Sequence, residues 1–108
     1  MKGIACSYGI IEAEVFIAKT TKDADTMPEG KILVTQFTDP AWTVYFSKIK
    51  GLITETGGIL SHGAIISREY GIPAVLGVSN STNKLKTGDM VRLNGSNGII
   101  EIINSTNN

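Results

Sequence analysis

Thr56-Gly57-Gly58-Ile59-Leu60-Ser61-His62-Gly63-Ala64-Ile65-Ile66-Ser67-Arg68-Glu69-Tyr70-Gly71-Ile72-Pro73-Ala74-Val75 holds the only histidine of the chain, set where a glycine pair gives way to an apolar helical run. Gly57 and Gly58 permit the close approach and positive φ of a tight turn. Ser61 reads as the N-cap, its hydroxyl accepting from first-turn N–H groups, so His62 falls at the first helical position. The helix is predicted to end at Tyr70, with Gly71 as the C′ residue and Pro73 preventing continuation. Leu52-Ile53-Thr54 before the stretch and Ala74-Val75-Leu76 at its end read as strands. The pattern is therefore strand, glycine turn, helix, strand: an α/β unit.

A helix N-terminus offers free N–H groups and the positive end of the helix dipole to a group that carries negative charge. Imidazole is a nucleophile at neutral pH, since its reference pKa is near ~6.5. Phosphoryl transfer asks the protein chiefly for positioning and charge stabilisation. These points make His62 the candidate for a phosphorylated nucleophile, with the Ser61 hydroxyl and the Gly63 and Ala64 N–H groups holding the phosphate. Thr56 is near enough in sequence to orient the ring or touch the phosphate. Glu55 has the same two options or is a solvated carboxylate, and the solvated reading is favoured. Arg68 lies six residues after His62, off the same helical face, and divides between phosphate contact and a surface ion pair. Against all this, a glycine pair, a serine and an apolar run open many ordinary helices. A lone histidine is also a common surface or capping residue, so the residues alone leave both readings open.

Thr54 to Glu69 resembles the phosphohistidine signature of the mobile domain of PEP-utilising enzymes. That family includes phosphoenolpyruvate synthase, pyruvate phosphate dikinase, enzyme I of the sugar phosphotransferase system and rifampicin phosphotransferase. The resemblance runs on through Gly71-Ile72-Pro73-Ala74-Val75, back to Phe37-Thr38-Asp39-Pro40-Ala41-Trp42, and into the Gly88-Asp89 turn and the closing strands. It implies the swivelling β/β/α fold and a phosphate carrier at His62, phosphorylated on Nε2. It further implies that phosphate moves between a nucleotide-binding (ATP-grasp) domain and a PEP- and pyruvate-handling barrel, in cis or in trans. Mg²⁺ and ATP or PEP then belong to those partner domains, with no cofactor bound by this domain alone. Two positions depart from the family pattern. Leu60 stands where several members have threonine, which removes a hydroxyl. Gly63 stands where alanine is common, which loosens the helix start.

Elsewhere the chain reads as short elements. Lys2–Cys6 and Glu14–Ala18 are predicted strands around a Ser7-Tyr8-Gly9 turn, Thr20–Gly30 a loop, and Lys31–Thr35 a buried strand. Asp39 as N-cap and Pro40 at the first position start a second helix, with an apolar stripe from Trp42 to Ile49 and an end at Gly51. Asn80–Lys86 is predicted to be a brief helix or turn. Met90–Leu93 and Ile99–Ile103 read as a hairpin about Asn94–Gly98, and Asn104–Asn108 as a frayed polar end. The sum is a mixed α/β domain of about seven short strands and two main helices.

At 108 residues with 42% apolar and 19% charged content, the chain is expected to form one globular domain spanning residues 1–108. Ten basic against ten acidic residues give a formal net charge of zero and no electrostatic case for nucleic acid or an anionic membrane. A single cysteine, Cys6, excludes an internal disulfide and suits a reducing cytoplasm. No Gly-x-x-x-x-Gly-Lys loop and no carboxylate set for a metal is present, so productive ATP binding by this chain alone is not expected. The alternative to a phosphoryl carrier is a non-catalytic regulatory or interaction module of the same fold. An esterase-like Ser61–His62 pair is disfavoured, because neighbours at a helix start point in different directions.

Overall fold

Short apolar runs punctuated by glycine, proline and asparagine become seven strands in the computed structural model, which describes residues 1–105. They are β1 (Ile4–Ser7), β2 (Ile10–Ile17), β3 (Ile32–Thr35), β4 (Gly51–Thr54), β5 (Ala74–Leu76), β6 (Met90–Asn94) and β7 (Ile99–Asn104). The sheet order is β1-β5-β4-β3-β2-β6-β7. Strands β2 to β5 pair in parallel, while β1 on β5, β6 on β2 and β7 on β6 are antiparallel. Parallel neighbours need crossovers. The β4-to-β5 crossover is the helix α2 (His62–Tyr70), and the β3-to-β4 crossover contains a 3₁₀ helix, Pro40–Tyr45.

Every residue of β3 and β4 is buried, as expected of parallel strands covered on both faces. Their side chains alternate between two cores. Leu33 and Leu52 meet Trp42, Phe46 and Ala64 on the helical side. Ile32, Val34 and Ile53 meet Val91, Leu93 and Ile100 on the other side, where the β6–β7 hairpin folds back over the parallel strands. The result is the expected swivelling β/β/α sandwich. The two sheet edges are tied through the N-terminus: Lys2 bridges Ile99, and Gly3 N–H donates to the Gly98 carbonyl at 2.8 Å. A side chain at Gly98 would lie 2.3 Å from the Gly3 carbonyl oxygen, so this closure requires glycine there.

Several expectations need correction. The predicted Thr20–Gly30 loop contains one helical turn, α1 (Thr21–Ala24), because Thr20 accepts from Asp23 N–H at 3.1 Å and Asp23 accepts from Lys19 N–H at 3.0 Å. Strand β2 starts at Ile10 rather than Glu14. Its acidic residues are accommodated by cross-strand ion pairs, Glu12 with Arg92 at 2.6 Å and Glu14 with Lys31 at 2.7 Å. The second main helix is a six-residue 3₁₀ helix. Proline, threonine, valine and two large aromatics are poor α-formers, and i→i+3 bonds such as Trp42 N–H to the Asp39 carbonyl at 2.9 Å close the turns. Gly51 does not terminate that helix but begins β4, where a Cβ would sit 2.7 Å from Leu93 Cδ2. The hairpin and the brief helix, α3 (Ser81–Lys84), lie where predicted. Asn104 belongs to β7, and the expectation of a frayed end beyond Ser105 lies outside the described residues.

Candidate functional site

Strand β4 delivers the chain into the glycine turn at the carboxyl end of the parallel strands. Gly57 takes φ +115°, open only to glycine at low cost, and a 3.0 Å bond from Ser61 N–H to the Gly58 carbonyl closes the turn. Ser61 is the N-cap: its hydroxyl donates to the Gly58 carbonyl at 2.7 Å and receives Ala64 N–H at 3.5 Å. His62 opens α2. At the other end Gly71 is left-handed, with Gly71 N–H on the Arg68 carbonyl and Ile72 N–H on the Ser67 carbonyl, a Schellman termination that stops the helix before Pro73.

His62 is half-buried and held on both nitrogens. Nδ1 lies 3.0 Å from Thr38 Oγ1, and Nε2 lies 3.1 Å from Thr43 Oγ1. Its ring meets Phe46 edge-on at 6.0 Å and 84°. A hydroxyl both donates and accepts, so this pair of threonines accommodates either neutral tautomer. Gly63 follows His62 in the first turn: a Cβ there would stand 3.0 Å from Thr38 Oγ1 and 3.2 Å from Leu52 Cδ2. The glycine that loosens the helix start therefore also makes room for the threonine that holds Nδ1. Beside these groups a cavity of about 270 Å³ is lined by Phe37, Thr38, Thr54, Thr56, Ser61 and Gly63.

The remaining sequence candidates take distinct positions. Ala64 is fully buried in the first turn. Thr56 borders the cavity, its hydroxyl donating to the Gln36 carbonyl at 3.3 Å. Arg68 turns its guanidinium to two carbonyls, Nη1 to Cys6 at 2.9 Å and Nη2 to Ile59 at 2.7 Å, so it clasps the glycine turn to β1. Glu55 is not the solvated carboxylate expected: it accepts Thr82 N–H at 3.0 Å and the Thr82 hydroxyl at 2.5 Å, capping α3. Leu60 is 82% exposed, with Ile59 beside it in the chain and Ile65 along α2 also exposed; Phe37, after β3, and Val44, on the 3₁₀ helix, are exposed as well. Among the described residues no group of three or more His, Cys, Asp or Glu side chains is placed to hold a metal ion. Also among them, no helix is long and apolar enough to cross a membrane.

Sequence reasoning missed Thr38 and Thr43 as ring partners. The signal for Thr43 is a polar residue interrupting the run Trp42-Thr43-Val44-Tyr45-Phe46, whose aromatics could line a ligand site but whose spacing favours core packing. Thr38 left no comparable trace, because it reaches His62 across 24 residues of chain.

The family profile described as "PEP-utilising enzyme, mobile domain" matches residues 27–98. Rifampicin phosphotransferase of Bacillus subtilis (strain 168) is 50% identical over 100 residues, which is 93% of this chain and 11% of that protein. Phosphoenolpyruvate synthase of Aeropyrum pernix is 40% identical over 101 residues, 93% of this chain and 12% of that one. Among solved structures, the NMR solution structure of Enzyme I (nEIt) superimposes with a TM-score of 0.63 at 32% identity, covering 72% of this chain and 32% of its own. The chain thus spans about a tenth of the length of these two curated relatives.

Proposed function

The chain belongs to the PEP-utilising enzyme mobile-domain family, and from that premise we propose that it is a phosphoryl carrier, phosphorylated transiently on His62. One observation carries the reading: the single imidazole stands at the first position of a nine-residue helix with hydroxyls on both ring nitrogens. A phosphoryl group on Nε2 is favoured by the positive end of α2, with the hydroxyl-lined cavity adjoining Thr38 on the other side of the ring. Ser61, Thr56 and the Gly63 and Ala64 N–H groups are the contacts assigned to it. Arg68 acts from behind, holding the Ile59 loop through which the cap is built.

In this reading the domain is one part of a larger phosphotransferase. It moves phosphate between a nucleotide site and a PEP/pyruvate site, on ATP-grasp and barrel domains in the same polypeptide or in trans. Mg²⁺ and ATP or PEP bind at those domains. The exposed apolar side chains of Phe37, Val44, Ile59 and Leu60 are the surface that docks with those partners.

The test is intact mass after incubation with a phosphoryl donor, Mg²⁺ and the catalytic domains of a phosphoenolpyruvate synthase, with the sample kept alkaline because phosphohistidine is acid-labile. One phosphoryl group gained, absent in His62→Ala and lost on acidification, is the expected result. No gain by a folded domain would overturn the carrier reading in favour of an interaction module.

A further inference from the structure

A second cavity, of about 430 Å³, opens at the end of α2 opposite His62, and Ser7, Tyr8, Arg68, Gly71, Gly95 and Ser96 border it. That volume is in the range of small-molecule sites. Strand β1 is bulged there: Ala5 pairs with Val75, and Ser7, not Cys6, pairs with Ala74. The bulge breaks the alternation of the strand, so Cys6 and Ser7 are buried in succession. Ser7 is 6% exposed, and its hydroxyl makes no hydrogen bond among the described residues. Such a hydroxyl leaves a hydrogen bond unmade, which favours a ligand that supplies one. The β6–β7 hairpin adds another wall. Gly95 N–H donates to the Gly9 carbonyl at 2.7 Å, and a Cβ on Gly95 would collide with the Ser7 carbonyl oxygen, so the two turns pack backbone to backbone. Ser96 Oγ accepts Gly9 N–H at 3.4 Å, which leaves its own proton to donate.

The charge at this cavity has one sign. Arg68 borders it, and no carboxylate among the described residues does. Its Nη1 and Nη2 each give one N–H to the carbonyls of Cys6 and Ile59, and the rest of the guanidinium donors have no protein acceptor among the described residues. The negative end of α2 is quenched, because Gly71 N–H and Ile72 N–H take the Arg68 and Ser67 carbonyls. Tyr8, 84% exposed, adds an aromatic ring to the wall.

We propose that this cavity binds a small organic carboxylate with an aromatic body. The carboxylate takes hydrogen bonds from Arg68, Ser7 and Ser96, and the ring packs against Tyr8 and the glycine backbone. The site stands on its own geometry and does not rest on the carrier reading. It is linked to the histidine loop, because the guanidinium that borders the cavity also holds the Ile59 carbonyl at 2.7 Å, two residues before the cap Ser61. A bound anion therefore acts on the glycine turn through one shared side chain.

The probe is benzoate, titrated into the ¹⁵N-labelled chain and followed by amide chemical shifts. Saturable shifts are expected at Tyr8, Gly71 and Ser96 and, through the clasp, at Leu60, in the millimolar range usual for a fragment-sized ligand. Ser7→Ala is expected to bind about tenfold more weakly, the factor for one hydrogen bond to a charged acceptor. Tyr8→Ala, on an exposed turn, is expected to bind about threefold more weakly. Benzamide, which keeps the shape without the charge, is expected to bind about tenfold more weakly than benzoate. Inorganic phosphate, an anion without a ring, is expected to leave these amides unshifted over the same range. Unchanged unfolding temperatures check that both variants are folded. No saturable shift at Tyr8, Gly71 and Ser96, or equal affinity in the wild type and both variants, would overturn the site. Equal binding of benzamide would overturn the carboxylate assignment, and equal binding of phosphate would overturn the aromatic one. Shifts around the cavity that leave Leu60 unmoved would overturn the link to the glycine turn.

Discussion

The thiol of Cys6 is 5% exposed, between β1 and the helical layer, and burial pushes its pKa above the ordinary 9.0 against the smaller opposing pull of Leu76 N–H and the Arg68 charge. A raised thiol pKa means the folded chain keeps its proton where the unfolded chain loses it. Stability from this group is therefore full below the unfolded value and declines as pH rises through it towards the folded one. The expected outcome is a urea midpoint that falls more steeply between about pH 8 and about pH 10 for the wild type than for Cys6→Ala. Parallel slopes would show that burial of the thiol does not matter. Native Cys6 is likewise expected to react slowly with thiol reagents until the domain unfolds. At the same scale, His62→Ala is expected to abolish phosphoryl uptake while leaving the unfolding transition within about 0.5 kcal/mol of the wild type, since the ring is half-buried at the surface.

Short elements here depend on side chains from elsewhere in the chain. α3 has four residues and its N-cap, Asn80, sits at φ +61° with no side-chain cap bond, so the helix relies on Glu55 at the end of β4. Hydrogen bonds to a charged acceptor are worth about 1.5–3 kcal/mol, less where solvent reaches them. Glu55→Ala is expected to cost about 1–2 kcal/mol in urea unfolding, with Glu55→Gln losing less because it keeps an acceptor. A loss indistinguishable from zero for the alanine variant would return Glu55 to the solvated role that its sequence suggested. The 3₁₀ helix is braced in the same manner: the Tyr45 hydroxyl reaches Asp25 and the Thr21 carbonyl, joining it to α1. Its register sets where Thr43 meets the imidazole.

For the whole molecule, apolar side chains next to the histidine in the chain are exposed, and of Ile59, Leu60 and Ile65 Leu60 is the most exposed. Leu60→Lys is expected to slow phosphoryl exchange with the catalytic domains severalfold while changing stability by less than about 0.5 kcal/mol, as surface substitutions do. An unchanged exchange rate would remove Leu60 from the docking surface. The sequence by itself determined the local units, because their causes are local: Ser61 as cap, Gly71 as stop, the Asn94–Gly98 hairpin, and His62 at a helix start within a recognisable signature. Only the tertiary structure decided what surrounds the imidazole and how the layers close. Thr38 and Thr43 come to His62 from 24 and 19 residues away, and Arg68 reaches Cys6 across 62. Nothing in the identity of a threonine announces such a partner, since its hydroxyl serves equally well in solvent, in a turn or against a ring. The folding of β6 and β7 over the parallel strands brings Leu93 against Gly51, and that contact turned an apparent helix terminator into the first residue of a buried strand. Long-range packing supplies these constraints, and a local pattern of propensity and periodicity does not contain them.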